Sequence, residues 1–118
     1  MTSPTPLTGA LEALADARLS TLQTARWAQE KKDKALEKTL RDKGAGLKTE
    51  IDRLRRLTHQ AWGADARHAI KRLETAGARL NVLSRRLTKR RQAVLGATRL
   101  LATLNTILAL AGRLRMNK

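Results

Sequence analysis

The sequence predicts an all-α protein: an antiparallel helical hairpin enlarged to a three- to four-helix bundle, with a long heptad-patterned C-terminal helix. Three observations predict it. No stretch alternates apolar and polar residues as a strand does, and β-branched residues are scattered singly. Good helix formers (Ala, Leu, Arg, Lys, Glu and Gln) make up most of the chain beyond residue 7. Apolar residues recur at three- and four-residue steps over long stretches, which places them on one side of a helix. At 118 residues the chain is one domain's length, with room for a modest core. We therefore expect residues 1–7 to form a short extended leader, marked by Pro4 and Pro6, and residues 8–118 a single helical domain.

The first helix is expected over about residues 8–43, with Thr8 as its N-cap. Leu11, Ala15, Leu19, Leu22, Ala25, Leu36 and Leu40 form a loose apolar stripe that thins between Gln29 and Lys34. Glu30 with Lys34 and Glu37 with Arg41 stand four residues apart, and such pairs support a solvated helix by about 0.2–0.5 kcal/mol each. Two glycines in three residues, at Lys43-Gly44-Ala45-Gly46, are expected to end this helix and reverse the chain. A second helix over 47–62 carries Leu47, Ile51, Leu54, Thr58 and Ala61 on one face and ends near Trp62-Gly63.

A third helix is expected over 65–114, with Asp65 in N-cap or first-turn range. Ala66, Leu73, Leu80, Leu87, Val94, Leu101 and Leu108 recur at intervals of seven, and Ala69, Ala76, Leu83, Ala97, Leu104 and Ala111 fill the positions three later. That is an a/d heptad. Its defect is Arg90, at a d position between Lys89 and Arg91. A buried unpaired charge costs several kcal/mol, so Arg90 is expected to be uncovered or to extend outward along its stem. Beyond it the apolar face widens, and Val94, Leu100, Leu101, Leu104, Ile107 and Leu108 are expected to form an assembly surface for a homo-oligomer or a larger complex.

Charge is the most informative functional signal. The formal net charge is +15, from 25 Lys and Arg against 10 Asp and Glu, and no acidic residue follows Glu74. An uncompensated cationic half repels itself in the folded state, so a polyanionic partner that offsets the repulsion is expected. Lys71, Arg72, Arg79, Arg85, Arg86, Lys89, Arg90 and Arg91 fall along one helical flank beside the apolar seam. Each phosphate neutralised by such a flank releases condensed counterions, which favours nucleic acid. Lys48, Arg53, Arg55 and Arg56 form a secondary cluster diluted by Glu50 and Asp52, for which bland solvation is an equal reading. If the second helix lay beside the third, the two clusters would merge into one groove.

Other chemistries find no support. Two aromatics, Trp27 and Trp62, are too few for a base-stacking platform and suit packing better. His59 and His68 are nine residues apart and do not make a metal site, the glycines lack a P-loop context, and no carboxylate pair stands apart for acid–base work. We expect no catalytic residue, no cofactor and no metal. Zero cysteines exclude disulfides and thiolate ligands. The most apolar tract, Leu100–Gly112, is too short to span a bilayer and contains Asn105, and no secretory signal is legible, so a cytoplasmic protein is expected. The basic region interrupts the heptads instead of preceding them, which separates the chain from basic zippers.

The expectation is therefore a small nucleic-acid-binding accessory protein, reading DNA or RNA through the phosphate backbone and docking with itself or a larger enzyme through its C-terminal helix. Two alternatives use the same residues: a structural coiled-coil subunit whose basic face meets an acidic protein, and an amphipathic protein on an anionic membrane surface, which the shortage of interfacial aromatics disfavours.

Overall fold

A computed structural model describes residues 6–56, 64–90 and 93–114. Among these, four helices and no strand are present: α1 Pro6–Glu30, α2 Lys34–Arg55, α3 Ala64–Arg90 and α4 Ala93–Arg113. The protein is all-α, and its helices pack as a bundle. α1 packs against α2 and α3, and α4 packs against α3 and more lightly against α2. Around the bundle the order is thus α1, α2, α4, α3, with α1 opposite α4 and α2 opposite α3. Residue pairing sets the directions. Gln29 and Leu22 of α1 meet Arg41 and Gly44 of α2, so that pair is antiparallel. Ser20 and Thr24 meet Asn81 and Ser84, so α1 and α3 run parallel. The bundle measures 46 × 24 × 20 Å, two helices thick in both short directions.

The core is built from leucine on three helices and small residues on the fourth. Leu40, Leu47 and Leu54 of α2, Leu73, Leu80 and Leu87 of α3, and Leu100, Leu104 and Ile107 of α4 are fully or almost fully buried. Each contributes about 1.5–3 kcal/mol by burial. α1 instead buries Ala10, Ala17, Ala25 and Ala28 with Ser20, Thr21 and Thr24, and only one leucine, Leu14, is fully inside. Small side chains let the α3 backbone come close, and at Gly77 a Cβ would stand 3.4 Å from the carbonyl oxygen of Ala13.

The hydroxyls in this α1–α3 seam are satisfied. Thr24 Oγ1 donates to the Ser20 carbonyl at 2.8 Å and lies 2.6 Å from Ser84 Oγ, while Thr21 Oγ1 donates to the Ala17 carbonyl at 2.7 Å. Any slide of α1 along α3 would take the Ser84 hydroxyl away from Thr24 Oγ1 and the Ser20 carbonyl and leave it unpaired, at about 1–3 kcal/mol, so the pair holds the register.

Three expectations about the elements are corrected. The first helix starts at Pro6, two residues ahead of Thr8, because proline's missing N–H is unneeded at a helix start and its φ is already helical. The glycine pair does not break the chain: Gly44 and Gly46 lie inside α2. Gly44 is buried against α1, where a Cβ would sit 3.2 Å from Leu22 Cδ2, so its role is close helix approach.

The reversal falls instead at Lys31–Asp33, within the stretch where the apolar stripe thins. Lys32 adopts φ 61°, its N–H donates to the Gln29 carbonyl at 3.0 Å and that of Asp33 to the Ala28 carbonyl at 2.9 Å. These bonds make a Schellman close to α1, with a lysine where glycine is usual. Asp33 then caps α2 by accepting from Leu36 N at 3.1 Å. Glu30 and Lys34 therefore sit on different helices, whereas Glu37 and Arg41 pair at 2.8 Å as expected.

The long C-terminal helix is two helices. α3 ends at Arg90, the heptad defect, and α4 begins at Ala93 and runs back antiparallel beside it. Both helices point an apolar stripe at one core, but the buried seven-residue series shifts by one position between them, from Leu73, Leu80 and Leu87 in α3 to Leu100, Ile107 and Leu114 in α4. Residues 57–63, with His59 and Trp62, residues 91–92, with Arg91, and residues 1–5 and 115–118 lie outside the described residues, while Pro6 and Leu7 of the expected leader belong to α1.

Candidate nucleic-acid interface

α3 presents two opposed faces because its apolar and basic residues follow the helical period out of phase. Ile70, Leu73, Leu80, Ser84 and Leu87 point into the bundle. Arg67, Lys71, Arg72, Arg79, Arg85 and Arg86 are all exposed on the other side. Five of these six are candidates from the sequence, and the structure brings Lys71, Arg72, Arg79, Arg85 and Arg86 onto one continuous surface. Arg67 was missed; its separation from the Arg85 cluster hides that 18 residues are five turns, which return it to the same side. Lys89 and Arg90 lie in the last turn of α3, and their side chains, like Arg91, are outside the described residues.

No carboxylate neutralises this face. Among the described residues the ion pairs are Arg41 with Glu37 and Arg53 with Glu50, both within α2. Glu74 of α3 is exposed on the α1 side of this face, about 20° around the helix from Arg67 and Arg85, and leans over Gly9 of α1, where it lines a groove with Glu12 and Asp16. Charge is therefore segregated: acids gather along α1 and its border with α3, and cations along the outer face of α3. On the other border, Arg72 and Arg79 rim a shallow groove of about 290 Å³ shared with Thr106 and Leu110 of α4.

The secondary cluster is arranged differently. Arg53 is part of the fold: Nη1 donates to the Leu114 carbonyl at 2.7 Å and Nη2 to the Ala111 carbonyl at 2.7 Å, while Nε meets Glu50 Oε2 at 2.9 Å. The Ala111 carbonyl, which also accepts from Leu114 N at 3.1 Å, lies in the last turn of α4 and the Leu114 carbonyl just past it, so the guanidinium closes the helix and meets the negative end of its dipole. Its side chain is 34% exposed, and every direction of its donor fork but one is engaged. Arg53 is withdrawn from any ligand-binding set. Lys48 and Arg55 line a groove between α1 and α2 that also holds Asp16 and Asp52, a surface of mixed sign, and Arg56 is exposed just past the end of α2. Because α2 and α3 stand at opposite corners of the bundle, the two basic clusters do not merge into one groove.

The expected assembly surface is mostly interior. Leu100, Leu104 and Ile107 are at most 1% exposed, and Leu101 and Leu108 are half-buried against the same core; the side chain of Val94 is outside the described residues. The packing of α4 back on α3 supplies the reason: it covers within one chain the surface that a single long helix would have left for a partner. Among the described residues, the large hydrophobics that remain exposed are Leu19 of α1 and Val82 of α3, on different helices. Trp27 is half-buried against the core.

Among the described residues no group of three or more His, Asp or Glu side chains is placed to hold a metal ion, and no helix is long and apolar enough to cross a membrane. His68 is exposed on α3 beside the cationic face. No family model matches the chain, and no curated protein or solved structure matches it either.

Proposed function

We propose that the protein is a small accessory factor that binds nucleic acid through the phosphate backbone, using the outer face of α3. The observation that carries the reading is the set of six exposed cations, Arg67, Lys71, Arg72, Arg79, Arg85 and Arg86, with no carboxylate in salt-bridge reach among the described residues. A solvated helix face ordinarily mixes signs, as α2 does here. An unscreened row of guanidinium groups is matched to phosphate, which accepts two hydrogen bonds from one fork. Binding of this kind carries little sequence information, because phosphate contacts set position and base contacts set specificity.

The test is a salt titration of affinity for a mixed-sequence duplex. Backbone binding through six cations predicts that log Kd rises steeply with log salt, with a slope of about 5. A salt-independent Kd, or no binding at low salt, overturns the proposal.

A further inference from the structure

We infer that α3 is a groove helix: it seats in the major groove of duplex DNA, with two rails of cations gripping opposite strands. This rests on the nucleic-acid reading above and narrows it to one ligand. At about 100° per residue, the exposed cations of α3 separate into two lines. Arg67, Lys71 and Arg85 lie within about 40° of one another along one side, with the exposed Glu74, between Lys71 and Arg85 in the sequence, at its α1 margin, and Arg72, Arg79 and Arg86 lie within about 40° along the other with no acid among them. Thr75 and Val82 fall between the lines, and both are exposed, Val82 to 47%. A helix that merely lay along one strand would need a single line of charge. Two lines flanking a neutral strip match a cleft with phosphates on both walls and base edges on its floor.

The dimensions agree. An α-helix with its side chains is about 10–12 Å across, and the major groove of B-DNA is about 12 Å wide and about 8.5 Å deep. The minor groove, about 6 Å wide, is too narrow, and the major groove of A-form RNA is too deep and narrow for side chains to read. α3 occupies a corner of the bundle, with α1 and α4 as its neighbours. At the usual interaxial distances the neighbouring axes then stand about 6–7 Å behind that of α3, so it can enter the groove before they meet the backbones.

The neutral strip fits the floor of that cleft. The Thr75 hydroxyl donates to the Lys71 carbonyl at 3.1 Å, so its proton is already used, and Val82 has only methyl groups to offer. Apolar contact with thymine methyls is what such residues can make, and it discriminates weakly. The expected ligand is thus duplex DNA with little sequence preference.

The full chain should be titrated at one moderate salt concentration against a mixed-sequence DNA duplex, its single strand, the RNA duplex of the same sequence, heparin, and a duplex whose cytosines carry glucosylated hydroxymethyl groups that fill the major groove. Major-groove seating predicts that plain duplex DNA binds about tenfold or more tightly than the single strand, the RNA duplex and the glucosylated duplex. Netropsin, which fills the minor groove, should not compete. The Gln triple variant at Arg72, Arg79 and Arg86 and the Gln triple variant at Arg67, Lys71 and Arg85 should each weaken duplex binding by about tenfold or more, because each rail holds one strand. Equal affinity for every nucleic acid, preference for RNA, indifference to glucosylation, or dependence on one rail only would overturn groove seating and leave backbone binding standing. Failure to bind any polyanion, heparin included, would remove the underlying reading itself.

Discussion

α2 and α3 are the two basic helices of this bundle, and they use their charge in opposite ways. On α2 cations alternate with acids, and its key arginine faces inward: Arg41 pairs with Glu37, while Arg53 pairs with Glu50 and closes the end of α4. On α3 the described cations face solvent without an ion-pair partner, and Glu74, at the margin of that face, leans toward α1. Two helices with seven and eight Lys and Arg residues therefore differ in what those cations are available to do. Local charge density does not mark a binding face; the absence of internal partners does.

The sharpest way to break this comparison is to reverse charge on α3. Changing Arg72, Arg79, Arg85 and Arg86 together to Glu is expected to weaken duplex affinity by about a thousandfold or more at low salt. Helicity measured by circular dichroism should be unchanged, because all four side chains are exposed. Retained affinity would place binding elsewhere.

On α2 the largest effect belongs to Arg53. Arg53→Ala removes two charge-assisted bonds to the α4 carbonyls and strands Glu50, for an expected loss of about 2 kcal/mol in denaturant unfolding. Duplex affinity, compared at a temperature where both proteins are folded, should change less than threefold, about 0.6 kcal/mol, as expected of a group that meets no ligand. A variant equally stable to the parent would refute the capping role. A variant as stable but weaker in binding would return Arg53 to the interface.

A smaller effect of opposite sign is expected where α1 hands over to α2. Lys32 is held at φ 61°, a conformation that glycine adopts without the Cβ clash. Lys32→Gly should therefore stabilise the fold by about 0.5–1 kcal/mol despite the greater freedom of the unfolded chain. Destabilisation would show that the lysine side chain contributes more than its backbone strain costs.

The smallest effect tests the exposed pair on α2. Arg41→Ala should cost no more than about 0.5 kcal/mol, since the Arg41 side chain is 48% exposed and solvent screens its bond to Glu37. Together with Arg53→Ala, this grades the arginines of α2 by how far each is built into the fold.

Much of this architecture was legible in the sequence. Helical propensity and the period of the apolar residues identify an all-α bundle, since Leu40, Leu47 and Leu54, or Leu73, Leu80 and Leu87, can be buried together only on one face of a helix. The cationic flank of α3 was legible for the same reason, as one period specifies both what faces inward and what faces out. The turns were harder to read. Two glycines looked like a break because their propensity cost of about 1 kcal/mol each is visible locally, whereas the contacts of Gly44 with Leu22, and of Gly46 with Leu108, are not. The true reversal uses Lys32, whose sequence carries no turn signature; its traces were a thinned stripe and an Asp33 in capping position. The apolar heptad likewise runs on past the end of α3 in the sequence, whereas the buried series is one position out of step in α4, and Arg90 alone marked the place where α3 ends.

What the sequence determined by itself is which residues could share a helical face, because helical geometry depends on residue spacing and nothing farther away. What only the tertiary structure decided is which faces remain open. α4 folds back on α3, so Leu100, Leu104 and Ile107 complete one chain's core, and Arg53 reaches across to the end of α4 while the arginines of α3 whose side chains are described form no ion pair. Burial and polar pairing are properties of helices meeting in space, between residues up to 64 positions apart. Periodicity along the chain does not contain those distances.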